Sequence, residues 1–127
     1  MITADTSTWV AFLSGAPGND AQLLKNALQG HHLSMVPVVL TELLSDPKLP
    51  PAAAASLTDL PLIEIESGFC QRAGALRARV LANRRKVRLG DALIAQTCID
   101  AGVSLITRDR DFRAFAQAAD LHLLFGP

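Results

Sequence analysis

The sequence predicts one α/β domain over residues 1–127, built in three layers, with a mainly parallel central sheet of four to five strands and helices on both faces. Strand-like apolar runs and helix-spaced apolar residues follow one another along the chain, with Gly and Pro between them. A length of 127 residues fits a single domain, and 50% hydrophobic composition supplies enough apolar side chains for a core.

The first half of the chain alternates short strands with helices. A first strand delivers Asp5 at its end, and the hydroxyls of Thr6 and Ser7 are predicted to cap the next helix. Pro37 suits the first turn of a helix, because its fixed φ and missing N–H cost nothing there. The elements expected in this half are a strand at 1–4, a helix from 6 or 7, a helix from 19 or 20 to Gly30, a strand at 33–36 and a helix at 37–44.

In the second half of the chain, clear signals end a predicted helix and the strand that follows it. The apolar residues after Asp91 recur at helical spacing, and Gly102 supplies a left-handed stop. The apolar run that follows ends in four charges, 108–111, that no buried strand could carry onward. The elements expected here are a helix at 52–57, a strand at 61–65, a long helix from Ser67, a helix from 91 to 102, a strand at 103–107, a helix near 112–116 and a strand at 121–125.

Four acidic residues have no obvious structural duty in this scheme. Asp5 and Asp109 follow predicted strands, Asp91 begins a helix, and Glu42 lies in an apolar helix with no Lys or Arg within four residues. The carboxyl ends of parallel strands share the sheet edge where ligands bind, so we expect these acids to meet there, with Asp111 as a possible fifth.

Clustered carboxylates repel one another, and a divalent cation relieves that repulsion. Oxygen-only ligands suit Mg²⁺ or Mn²⁺, and Mg²⁺ prefers a few carboxylates together with water and substrate phosphate. The reaction that such a site implies is phosphodiester hydrolysis, in which the ion lowers the pKa of an attacking water and neutralises the phosphate.

The charge distribution agrees with a polyanionic substrate. The formal net charge is zero, but only Lys25 and Lys48 of the 12 Lys and Arg residues precede Arg72. A basic field is therefore available in the later part of the chain, although arginines on a helix at 67–86 could equally form its solvated face. The residues expected to contact phosphate are Arg84, Arg85, Lys86, Arg88 and Arg108.

Taken together, the acidic motifs resemble the PIN-domain ribonucleases, most of all the VapC-type toxins of bacterial toxin–antitoxin pairs. The resemblance spans essentially the whole chain and rests on these motifs in order: Asp5-Thr-Ser, Leu-Thr-Glu42-Leu-Leu, Gly-Asp91-Ala-Leu-Ile-Ala and Leu-Ile-Thr107-Arg-Asp109-Arg-Asp-Phe. It implies a metal-dependent endoribonuclease with a PIN-like fold, working as a homodimer and inhibited by a cognate antitoxin whose C-terminal segment lies across the active-site groove. Its catalytic, metal-binding acids would be Asp5, Glu42, Asp91 and Asp109, oriented by Thr6, Ser7 and Thr107, with Asp111 accessory.

Other classes fit less well. A haloacid-dehalogenase-like phosphatase needs an acid where Ser7 stands, and a receiver domain needs a paired acid and a late Lys that are missing. A silent PIN-like module that binds RNA or protein without cutting remains the alternative, and DNA cleavage stays open. The basic segment 83–88 departs from the family pattern and leaves RNA choice or antitoxin contact open. With no apolar run of membrane-spanning length and no signal-like N-terminus, we expect a cytoplasmic protein.

Overall fold

The computed structural model describes residues 1–83 and 85–125, in which three parallel strands form one sheet. The strands are β1 (Ile2–Ala4), β2 (Ser104–Thr107) and β3 (Leu123–Phe125), in the order β1-β2-β3. Ile2 pairs with Ser104 and Leu105 with Leu123. The predicted α/β class with a parallel sheet is confirmed.

The described chain also contains seven α-helices and one 3₁₀ turn, joined by loops. In order they are α1 (Thr6–Leu13), α2 (Asn19–Gln29), α3 (Pro37–Leu44), α4 (Pro51–Thr58), α5 (Phe69–Ala82), α6 (Leu89–Ala101), the 3₁₀ turn (Arg110–Phe112) and α7 (Arg113–Ala118). Helices α1 and α2 pack on β2, whereas α5 packs against α6 and α7. Among the helices described, none has the length and apolarity that a membrane crossing requires.

The prediction of four to five strands is wrong. Of the two additional segments, 33–36 contributes single bridges at Leu33 and Met35, and 61–65 contributes one at Leu62. Pro37 ends the first segment after a few residues by starting α3. The second segment begins at Pro61, and Leu62 is half exposed, so little apolar burial favours a longer ladder there.

The core is drawn from nearly every element. Trp9, Leu24, Leu76, Leu105 and Phe112 are among the large side chains with 2% exposure or less. Each such residue contributes on the order of 1.5–3 kcal/mol by leaving water. This burial fixes α1, α2 and α5 around the sheet and so holds the sheet edge described next.

The carboxyl ends of β1 and β2 lie side by side. The register places Ala4 opposite Ile106, and the Asp5 N–H donates to the Ile106 carbonyl at 3.0 Å. The residues that follow both strands therefore emerge at the same edge. Helix α3 packs against α6 beside it, which brings Glu42 near Asp91.

Candidate active site

The four acids singled out from the sequence line one cavity of about 240 Å³ at this edge. It is lined by Asp5, Thr6, Ser7, Glu42, Arg88, Asp91, Ile94 and Asp109. Two acids arrive from strand ends and two from helices, so the cavity lies at the junction of β1, β2, α3 and α6. Other cavities of similar or larger size exist, but among those described only this one is lined by four carboxylates.

Asp5 is the most deeply placed of the four, with 3% of its surface exposed. Its carboxylate accepts hydrogen bonds from the Thr107 hydroxyl at 2.7 Å, from the Ser7 hydroxyl at 2.8 and 2.9 Å, and from the Thr8 N–H at 3.1 Å. Burial raises the pKa of Asp5 above its usual value, and these hydrogen bonds oppose that rise. The carboxylate is thus held in one orientation, facing the other acids.

The expectation that Asp5 is free of structural duty is wrong. Asp5 is the N-cap of α1, because its side chain accepts the Thr8 N–H. Ser7 cannot serve as the cap, since it lies inside the helix and its hydroxyl is donated to Asp5. Asp5 therefore combines a cap, worth about 1 kcal/mol, with a position in the cavity.

Thr107 joins the two strand-end acids. Its hydroxyl donates to Asp5 at 2.7 Å and accepts the Asp109 N–H at 2.9 Å, and the residue is fully buried. Asp109 in turn accepts the Asp111 N–H at 2.9 Å and so caps the 3₁₀ turn. Asp109, like Asp5, thus has a structural role that the sequence did not indicate.

Glu42 stands at the rim of the cavity. Its neighbours in α3 are apolar, but Glu42 itself is exposed, because α3 turns this face to solvent. The Thr6 hydroxyl donates to its carboxylate at 2.8 Å. Of the residues predicted to orient the acids, Thr6 thus contacts Glu42, and Ser7 and Thr107 contact Asp5.

Asp91 carries the strongest electrostatic signature of the site. It lies in the first turn of α6, and its side chain is 19% exposed. Burial, opposed by Arg88 and reinforced by the charges of Asp109, Asp5 and Glu42, raises its pKa from 3.8 to about 6. The negative charges of all three other acids therefore contribute to the raised pKa of Asp91.

Arg88 is the one cation that lines the described cavity. Its Nε lies 3.6 Å from Asp91 Oδ2, and its Nη2 lies 3.6 Å from Asp109 Oδ2. The side chain is 76% exposed, so these pairs are weak. Arg88 is nonetheless the residue whose positive charge lies near both carboxylates.

The remaining cations predicted to contact RNA are spread over several places. Arg84 lies outside the described residues. Arg85 and Lys86 are exposed and line neighbouring cavities, together with Asp111, which does not line the acid cavity. Arg108 is engaged elsewhere, as described next.

Arg108 forms an ion pair with Asp20 that the sequence did not indicate. Its Nε and Nη2 donate to the two carboxylate oxygens at 2.8 and 2.9 Å, and the Thr8 hydroxyl donates to the same carboxylate at 3.0 Å. Asp20 is fully buried. Burial raises its pKa, but the bonds from Arg108 and Thr8 outweigh that effect and lower it. The pair connects the end of β2 to α2. From the sequence alone, Asp20 could be recognised only as an acid in the first turn of a helix.

The donor set of the cavity suits a divalent cation. No group of three or more His, Cys, Asp or Glu side chains in residues 1–83 and 85–125 is arranged to hold a metal ion as the side chains stand. The four carboxylates nonetheless offer oxygen alone, burial together with their repulsion raises the pKa of Asp91, and the Arg88 guanidinium lies 3.6 Å from two of them. Oxygen ligands with this charge fit Mg²⁺ or Mn²⁺.

The protein is thus a small α/β protein with a parallel sheet, and it has an acidic site at the carboxyl ends of two strands. Within that class the chain belongs to the PIN domain family, whose profile matches residues 2–118. No curated protein sequence matches it significantly.

Solved structures with the same fold include three toxin–antitoxin proteins. VapBC2 from Rickettsia felis, bound to a DNA fragment from its promoter, is 21% identical with a TM-score of 0.75, covering 98% of both chains. DNA-bound VapBC from Salmonella typhimurium is 17% identical with a TM-score of 0.74, again covering 98% of both. VapBC-5 from Mycobacterium tuberculosis is 20% identical with a TM-score of 0.69, covering 98% of this chain and 97% of that one. At these identities the likeness establishes the fold.

Proposed function

We propose that this protein is a VapC-type toxin of a toxin–antitoxin pair and acts in the cytoplasm as a metal-dependent endoribonuclease. The observation that carries the proposal is the cavity in which four carboxylates meet and in which burial, together with the charges of the other three acids and against the effect of Arg88, raises the pKa of Asp91. Perturbed acids gathered in one cavity are typical of catalytic sites. Membership of the PIN domain family and likeness to VapBC complexes support the same assignment.

In this proposal Asp5, Glu42, Asp91 and Asp109 hold Mg²⁺ or Mn²⁺. When bound, the ion supplies a more acidic water and neutralises charge on the phosphate. The chain's own residues provide the orientation. Hydroxyls of Ser7 and Thr107 fix the Asp5 carboxylate, and the Thr6 hydroxyl fixes Glu42. An acid held in one rotamer loses less entropy on binding, so these hydroxyls favour a preformed site.

The cations near the cavity bind the RNA backbone in this proposal. Arg88 reaches the acids themselves, and its exposed guanidinium can turn to a phosphate oxygen. Arg85 and Lys86 follow on the adjoining surface, and Arg84 belongs to the same segment of sequence. Arg108 keeps only part of its donor capacity for RNA, because two of its nitrogens bind Asp20.

A cognate antitoxin and a second copy of this chain are the proposed protein partners. A mainly apolar groove of about 260 Å³ adjoins the acid cavity, with which it shares Thr6 and Glu42. Val10 and Leu13, 54% and 41% exposed, line it. An apolar antitoxin segment seated there would lie next to the acids and block them. The homodimer rests on family resemblance and on further exposed apolar residues such as Leu89.

Cleavage of total RNA tests the enzymatic proposal. Wild type should cut RNA in Mg²⁺ or Mn²⁺ and not in EDTA, and Asp91→Asn should reduce cutting to background. Asp120→Asn is the matched control, because this exposed acid lies outside the cavity and its loss should change nothing. A single-stranded DNA of equal length reports whether DNA is also cut.

The outcome distinguishes the enzyme from a silent module. Binding of RNA by wild type without metal-dependent cutting would favour the module. Equal cutting by wild type and Asp91→Asn would place the activity elsewhere or in a contaminant.

A further inference from the structure

Two further cavities continue from the acid cavity along the protein surface. The first, about 470 Å³, shares Arg88 and Asp91 with the acid cavity. The second, about 450 Å³, shares Lys86 and Asp111 with the first. Together they form one depression that runs from the acids to α7, here called the α7 groove. Its second part is lined by Arg85, Lys86, Arg110, Asp111, Arg113, Ala114 and Gln117.

The α7 groove is strongly basic. Five cations line it, against the two acids Asp91 and Asp111; they are Arg85, Lys86, Arg88, Arg110 and Arg113. All five are exposed, and only Arg88 forms a salt bridge within the described chain. The Arg113 guanidinium lies 4.9 Å from the centre of the Phe125 ring, which orients it without neutralising it. Four cations are therefore free to meet an anion.

Charge differs on the two sides of the acid cavity. The mainly apolar groove beside α1 meets the acid cavity at Thr6 and Glu42 rather than at Arg88 and Asp91, and among its lining residues Lys48 is the one cation and Glu42 and Asp46 are acids. A chain of phosphates that crosses the acid cavity is thus attracted on the α7 side and not on the other.

We propose that the α7 groove holds single-stranded RNA on one side of the bond to be cleaved, with Arg110 and Arg113 contacting its phosphates. This inference rests on the proposed ribonuclease function, because it is the cleaved strand that must enter the groove from the acid cavity. A protein segment is the weaker occupant, since the anchors of protein interfaces are mainly Trp, Tyr and Arg, of which the aromatic ones need apolar pockets and Arg is repelled by a basic groove. The groove offers only Leu81, Val87 and Ala114 for such anchors.

Salt dependence of RNA binding tests the groove directly. The probe is a fluorescent oligouridine of about twelve nucleotides, bound in EDTA so that no cutting occurs. Two phosphate contacts on a single strand contribute about 1.4 to the slope of log affinity against log salt. The variant Arg110→Ala/Arg113→Ala should lose that much slope and bind about 25-fold more weakly at roughly 0.1 M salt than wild type.

Two matched variants control for charge and folding. Lys25→Ala/Arg79→Ala removes the same charge from exposed positions that line none of the described grooves, and it should keep the wild-type slope. Arg110→Lys/Arg113→Lys retains the charges and should restore most of the slope. Thermal melting of each variant excludes loss of the fold as the cause of weaker binding.

Three results would overturn the inference. One is a slope for Arg110→Ala/Arg113→Ala equal to that of the Lys25→Ala/Arg79→Ala control. Another is a slope lost as fully in Arg110→Lys/Arg113→Lys, which would indicate altered structure rather than lost charge. The third is unchanged RNA binding with lost binding of a polyglutamate peptide, which would make the groove a protein surface. Failure of the ribonuclease proposal is separate, because it shows as absent cutting by wild type in Mg²⁺ or Mn²⁺.

Discussion

Replacing Asp91 by Asn should stabilise the metal-free protein at neutral pH. In the folded chain, burial and the charges of Asp109, Asp5 and Glu42 raise the pKa of Asp91 to about 6 in spite of Arg88, against 3.8 for the free side chain. The ionised form of Asp91 therefore has a higher free energy in the folded state than in the unfolded state. A neutral amide of the same shape removes that cost and retains a hydrogen-bonding oxygen.

The size of the effect follows from the pKa shift. A rise of roughly 2 pK units corresponds to about 3 kcal/mol, since each unit is worth about 1.36 kcal/mol. The unfolded chain releases the proton near pH 4, whereas the folded chain keeps it to about pH 6. The protonated carboxyl of Asp91 therefore favours the folded state. The stability that it contributes to wild type is fully present below pH 4, falls between pH 4 and 6, and stays lost above pH 6. The variant should thus match wild type near pH 4 and exceed it by up to about 3 kcal/mol at pH 7.

Urea unfolding in EDTA at several pH values between about 4 and 7 measures this difference. Asp120→Asn, which neutralises an exposed acid outside the cavity, is the control and should show no such pH-dependent gain. Added Mn²⁺ should make wild type more stable than Asp91→Asn, because an ion that binds only folded wild type stabilises it by mass action. A loss of more than about 1 kcal/mol in Asp91→Asn at pH 7 in EDTA would show that Asp91 supports the fold, and would refute the reasoning.

Three further outcomes are expected. Arg108→Ala should cost about 3–5 kcal/mol in urea unfolding, because it leaves the fully buried Asp20 without its ion pair; a loss below about 1 kcal/mol would contradict this. Thr107→Val should cost about 1–3 kcal/mol and slow RNA cutting, since its hydroxyl links Asp5 to the Asp109 N–H; wild-type cutting rates would exclude an orienting role. Sedimentation at tens of micromolar should give a dimer, and an active monomer would remove that proposal.

The meeting of the acids could be predicted because parallel strands end at a shared edge. Asp5 follows β1 and Asp109 follows β2, so their proximity needed only the strand assignment. The capping role of Asp5 could not be predicted in the same way. Asp5, Thr6 and Ser7 are all good N-cap residues, and the choice among them depends on where the helix axis points after packing.

The features that could not be predicted from the sequence depend on contacts between residues that are distant along the chain. Segments 33–36 and 61–65 are apolar enough for strands, but ladder length is set by neighbours and burial, which local sequence does not contain. Arg108 and Asp20 lie 88 positions apart, so nothing local links them. The cations at 110 and 113 likewise reach the surface of the 85–88 segment only because α5 packs on α7.

The pairing of β1 with β2 has a consequence for the growing chain. The bond between Thr107 and Asp5 spans 102 positions, and Ile2 finds its partner only at Ser104. Synthesis at roughly 5–20 residues per second leaves Asp5 without this partner for on the order of 5–20 s. Contacts so distant in sequence also form late in folding. If the chain is a ribonuclease, a nascent chain beside the messenger RNA thus remains harmless until β2 has emerged and docked.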